Sequence, residues 1–144
     1  LRSNHNWQQL GRKTDIKVPL EFLTNAIKKR CTAFMISDFI DNSDYRNAMT
    51  IANRKHDLVA IQVYDRRIAS MPEIGLVRFM DAETGEEMYV DTSSPKVQAY
   101  QREWWKSQVA RLNEIFNKSR VDSVSISTEQ DYVKALLNLF AKRS

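Results

Sequence analysis

Two short apolar runs, "AFMI" at 33–36 and "DLVAIQVYD" at 57–65, govern how this chain can fold. Continuous apolar runs of this length, bounded by polar residues, read as strands covered on both faces, as in a parallel sheet. Each runs into an aspartate, Asp38 after the first and Asp65 after the second. Helical spacing precedes both. From Thr14 to Lys29 the apolar residues Ile16, Leu20, Leu23, Ala26 and Ile27 recur at helical intervals. Pro19 either opens that helix in its first turn or kinks it. Between the runs, "SDYRNAMTIANRKH" sets Tyr45, Ala48, Met49 and Ala52 on one helical face, with Ser43 or Asp44 as the cap.

The second half continues the alternation. "GLVRFMDAETGEEMYVDTSS" reads as a β-hairpin turning at Gly85, with Val77, Phe79, Met88 and Val90 on one face. It is expected to extend or cap the sheet; a partner-binding arm is the sharper reading. Ser94 and Pro95 open a long helix with the stripe Val97, Tyr100, Trp104, Leu112 and Ile115 or Phe116. "VDSVSIST" predicts a third strand. Ser127 or Thr128 then caps a last helix that buries Tyr132, Leu136, Leu139 and Phe140. Strands alternating with helices predict an α/β, Rossmann-like, partly parallel sheet flanked by helices, with an inserted hairpin. Residues 1–13 are polar and irregular apart from Trp7 and Leu10.

Several function classes drop out. No apolar run approaches the ~18 residues of a membrane span, so no membrane insertion is expected. Cys31 is the sole cysteine, which rules out an internal disulfide and suits a reducing, cytoplasmic compartment. His5 and His56 stand apart with no clustered cysteines, against a zinc site. Neither a G-x-S-x-G elbow nor a P-loop occurs. The net charge of +4 is scattered over "KKR", "NRK", "DRR" and "KR" near helix ends, where cations oppose the macrodipole. Specific nucleic-acid binding is not expected.

Open parallel sheets bind ligands beyond the carboxyl ends of their strands, which is where Asp38 and Asp65 stand. A hard cation such as magnesium takes oxygen ligands there, and Asp41 is a further carboxylate nearby in sequence. Two classes remain: a protein-interaction module, or a metal-dependent enzyme or nucleic-acid-processing domain using Asp38 and Asp65.

"GRKTDIKVPLEFLTNAIKKRCTAFMISDFID", "LVAIQVYD", "GLVRFMDAETGEEMYVDTSS" and "STEQDYVKALLNLF" carry a resemblance. From about Gly11 onward the chain resembles the bacterial domain-of-unknown-function family fifty-eight, von Willebrand factor A-like and encoded near MoxR-type ATPases. The resemblance implies a doubly wound sheet with a metal-ion-dependent adhesion site (MIDAS) at its carboxyl end. Thr14 in "GRKTD" matches the second motif of that site and Asp38 in "ISDF" the third. The first motif, D-x-S-x-S, does not occur; "DSVSIS" at 122–127 has the wrong spacing.

The resemblance therefore implies that residues 14–144 are the C-terminal portion of such a domain, without the N-terminal half of the sheet. It implies a non-catalytic module that docks a protein partner, a MoxR-type ATPase among the family's associates. Magnesium would belong to the intact parent; this chain alone is expected to bind none tighter than millimolar. Deprived of its neighbour, strand 32–38 is expected to self-associate or to be covered by residues 1–13.

Overall fold

β2 (Asp57–Tyr64) is the axis of the structure, and its inner residues Leu58 to Ile61 are buried. The computed structural model describes residues 14–81 and 84–144. In chain order the elements are α1 (Lys17–Ala26), β1 (Thr32–Ser37), α2 (Arg46–Lys55), β2, α3 (Arg66–Ala69), β3 (Leu76–Met80), β4 (Glu87–Asp91), α4 (Pro95–Ser119), β5 (Asp122–Ser127) and α5 (Tyr132–Arg143). The segment 1–13, with Trp7 and Leu10, lies outside the described residues.

The α/β expectation holds: β1, β2 and β5 form a parallel sheet in the order β1-β2-β5. Alternation along β2 separates two apolar layers. Leu58 and Ala60 face Leu20, Met49, Ala52, Leu112, Ile115 and Phe116 of α1, α2 and α4. Ile61 and Val63 face Ile126, Ala135 and Leu136 on the α5 side. Each large core side chain buried this way contributes about 1.5–3 kcal/mol, so the first layer dominates the stability.

β1 departs from the expectation of a strand covered on both faces. Ala33 and Met35 pack on the first layer, but Phe34 is 49% and Ile36 66% exposed. The reason is coverage: α5 lies over β5 and β2, and meets β1 at its margin through an edge contact of Phe140 with Phe34 (6.0 Å). Among the described residues β1 pairs only with β2, so its outer edge is unpaired.

The hairpin has the expected register, Val77 opposite Val90 and Phe79 opposite Met88. It does not extend the sheet; β3 and β4 form a separate two-stranded ribbon. Its base is tied by Thr92, whose hydroxyl donates to the Gly75 carbonyl and accepts from the Ile74 N–H.

Helix ends also differ from expectation. Pro19 sits in the first turn of α1, which runs unbroken from Lys17 to Ala26. Asp44 does not cap α2 but holds Arg46 through its N–H and guanidinium. Asp131, not Ser127 or Thr128, caps α5, accepting from the N–H groups of Val133 and Lys134. That later start rotates Tyr132 out to solvent and brings Ala135 in.

α4 turns an unexpected face inward at its start. Tyr100 is 73% exposed. Gln98 instead donates to the Met71 and Thr92 carbonyls, and Gln101 to the Ile68 carbonyl. Those carbonyls, in α3 and the loops beside the hairpin, need donors, and a glutamine amide supplies them where a tyrosine ring cannot.

Candidate functional site

The carboxyl end of β1 is a built turn. The Ser37 hydroxyl accepts from the Phe39 N–H (3.0 Å), and Asp38 Oδ1 accepts from the Ile40 N–H (3.0 Å). Phe39 between them has φ +56°, a left-handed conformation that costs a non-glycine residue about 1–3 kcal/mol. Its ring is buried and meets Phe116 edge-on at 5.3 Å. That burial and ring contact, about 1.5–3 and 0.5–1.5 kcal/mol, outweigh the strain. The chain reverses over a buried phenylalanine, and the preceding side chain, Asp38, is left exposed.

Asp41 fixes the far side of the turn. Its Oδ2 accepts from the Ile16 N–H and its Oδ1 from the Ser43 N–H, both at 2.8 Å. Arg111 of α4 donates to the Asp41 and Ser43 carbonyls, each at 2.6 Å, and lies over the Tyr45 ring. Burial pushes the Asp41 carboxyl up, but the Ile16 and Ser43 hydrogen bonds and the Arg111 charge prevail and hold it below its ordinary 3.8. Burial also pushes the Tyr45 phenol up to about 12.

The Asp41–Ile16 bond brings together the two segments singled out in the sequence. Thr14 lies two residues before Ile16, and with Ser37 it lines a cleft of about 460 Å³ along the outer edge of β1. Thr14 and Asp38 are both exposed. Their hydroxyl and carboxylate are the kind of donor a hard cation takes, but an octahedral site needs about six oxygens. Among the described residues no group of three or more His, Cys, Asp or Glu is placed to hold a metal. The donor chemistry fits; the donor number does not.

Asp65 is committed elsewhere. It caps α3 through the Arg67 N–H (2.8 Å) and takes the Arg67 guanidinium at 2.6 Å. Hydrogen bonding to Arg67 holds its carboxyl down at about 2. A mechanism that uses Asp38 and Asp65 together would first have to break that pair.

Gln62 was missed in the sequence. Its Nε2 donates to the Asp38 carbonyl (3.4 Å) and its Oε1 accepts from the Ser125 hydroxyl (2.7 Å), so one polar chain crosses all three strands below the turn. The signal was a single amide inside an apolar strand. His56 was also passed over. It is fully buried, its Nε2 faces the Leu23 carbonyl at 2.9 Å, and its Nδ1 accepts from the Cys31 N–H. It pins the α1–β1 connection at the opposite end of the sheet.

Comparison with known proteins places the chain among uncharacterised relatives. Two, from Mycobacterium bovis and Mycobacterium tuberculosis, are each 25% identical over 135 residues, covering 92% of this chain and 42% of their own length. A Mycobacterium avium protein is 32% identical over 76 residues, 53% of this chain and 45% of its own. The chain thus spans less than half the length of these curated relatives. No solved structure matches it. Residues 3–111 match the family described as protein of unknown function DUF58, and the chain belongs to that family.

Proposed function

We propose that this chain is the C-terminal part of a von Willebrand factor A-like docking domain that binds a protein partner and does no chemistry on it. Thr14 and Asp38 are two oxygen donors of a divalent-cation site, and the missing donors come from a segment outside these 144 residues. The observation that carries this reading is the turn at Asp38. A left-handed, buried Phe39 leaves the Asp38 carboxylate exposed in a turn that Asp41 ties to Ile16, two residues after Thr14, at the end of a strand whose outer edge is unpaired among the described residues. When bound, magnesium would bridge the domain to an acidic group of the partner. The chain's own part is to hold Asp38 and Thr14 at a fixed spacing, through Asp41, Gln62 and Arg111. A MoxR-type ATPase is the partner suggested by the family resemblance.

Calorimetric titration with magnesium or manganese tests the reading. The 144-residue chain is expected to bind no tighter than millimolar. The longest natural chain containing it is expected to bind far tighter, and Asp38→Ala or Thr14→Ala to weaken that binding. Tight binding that survives both substitutions would contradict the assignment.

A further inference from the structure

The hairpin carries apolar side chains on both of its faces. Val77 and Phe79 turn toward Ile68, Met71 and Pro72, closing a cleft of about 380 Å³ against α3 and the start of α4. On the opposite face Leu76, Met80 and Tyr89 are all more than 60% exposed. A two-stranded ribbon is marginal alone, and one with apolar side chains on both faces, shared on the outer face with Arg78, Glu87 and Asp91, is built to lie between two surfaces. The rest of this chain supplies one in part, over Val77 and Val90, with Met88 of that face still 62% exposed.

Charge says what supplies the other. Residues 73–91 hold six carboxylates against a single arginine, a net of −5, so in a chain of net +4 the remainder is +9. The counterpart is on α5. Val133, Leu137 and Phe140, at helical spacing, are exposed on its outer side, while Ala135 and Leu139 face the sheet. Tyr132–Arg143 contains no acid, and Lys134 and Lys142 stand in it.

We propose that the hairpin is a dimerisation arm: β3 and β4 of one copy lie on the outer face of α5 of a second copy, and the second copy's arm reciprocates. A two-fold pairing of this kind uses the same two patches twice and closes on itself. Leu76, Met80 and Tyr89 cover Val133 and Leu137, and the arm's carboxylates face Lys134, which flanks that stripe on α5. The pairing leaves the Asp38 turn outside the contact and does not depend on the function proposed for it.

Analytical ultracentrifugation of the 144-residue chain, at rising concentration and at two salt concentrations, tests this. A dimer that weakens as salt rises is expected. Glu73→Lys with Glu86→Lys reverses the arm and spares the ion pair between Arg78 and Glu87 (3.6 Å). Lys134→Glu reverses the helix side of the contact. Each of these variants is expected to weaken dimerisation on the order of tenfold or more. Mixing the two restores both contacts and is expected to give a heterodimer. Circular dichroism shows whether each variant is folded. A chain that stays monomeric, a dimer indifferent to both reversals, as pairing through the β1 edge would be, or a mixture that fails to recover would each overturn the proposal.

Discussion

Asp41 satisfies two backbone N–H groups, those of Ile16 and Ser43, and it is buried. Asp41→Ala leaves those donors without a partner, a loss of about 1–3 kcal/mol that urea unfolding would read. Its folded-state carboxyl titrates below the ordinary 3.8. The stability it contributes is therefore complete above that value and is lost as the pH falls through the lower folded value. In Asp41→Asn that part of the acid sensitivity is expected to disappear. Asp38 is different: it accepts one exposed local bond, from Ile40. Asp38→Ala is expected to cost about 0.5–2 kcal/mol at most. Arg120 ends α4 with φ +54°, a conformation that costs a non-glycine residue about 1–2 kcal/mol. Arg120→Gly is expected to raise the unfolding midpoint; a lower midpoint would mean that its side chain contributes more than the strain costs.

At the scale of elements, β1 is where the account is most exposed. Among the described residues its one pairing is with β2, so alternate amides of Thr32–Ser37 have no strand partner. Hydrogen exchange on the isolated chain is expected to alternate along β1, fast outward and slow inward. Uniform protection would mean that residues 1–13 or a second copy covers the edge. The sequence showed β1 and β2 as strands because an apolar run announces burial. It did not show that Phe34 and Ile36 face solvent, because a run looks the same whether one face is covered or two. Hairpin register was legible from Val77, Phe79, Met88 and Val90, since period-two alternation fixes it. The inward turn of Gln98 and Gln101 was not, because their partners, the Met71, Thr92 and Ile68 carbonyls, lie in loops and in the short α3, where no periodicity marks them. Likewise Asp38 and Thr14 were visible as types, whereas the link between them, Asp41 to Ile16, needs the fold.

Across the whole molecule, charge is segregated: the residues outside the hairpin carry the excess of cations. Retention on DNA at low salt is expected on that ground alone, and counterion release predicts that it falls steeply as salt rises. A sequence-selective complex at physiological salt would contradict the docking-domain reading. None of the described helices is long and apolar enough to cross a membrane. What sets this end of the sheet apart is that Asp38 and Thr14 are exposed while Asp65 is held by Arg67 and Asp41 by the backbone. Manganese added to the isotope-labelled 144-residue chain reads that difference directly, because even millimolar binding broadens nearby amide signals. Broadening centred on Thr14 and on Asp38 to Ile40, and abolished by Asp38→Ala, is expected. Broadening centred on Asp65, or spread over the hairpin carboxylates with Thr14 and Asp38 untouched, would contradict the assignment.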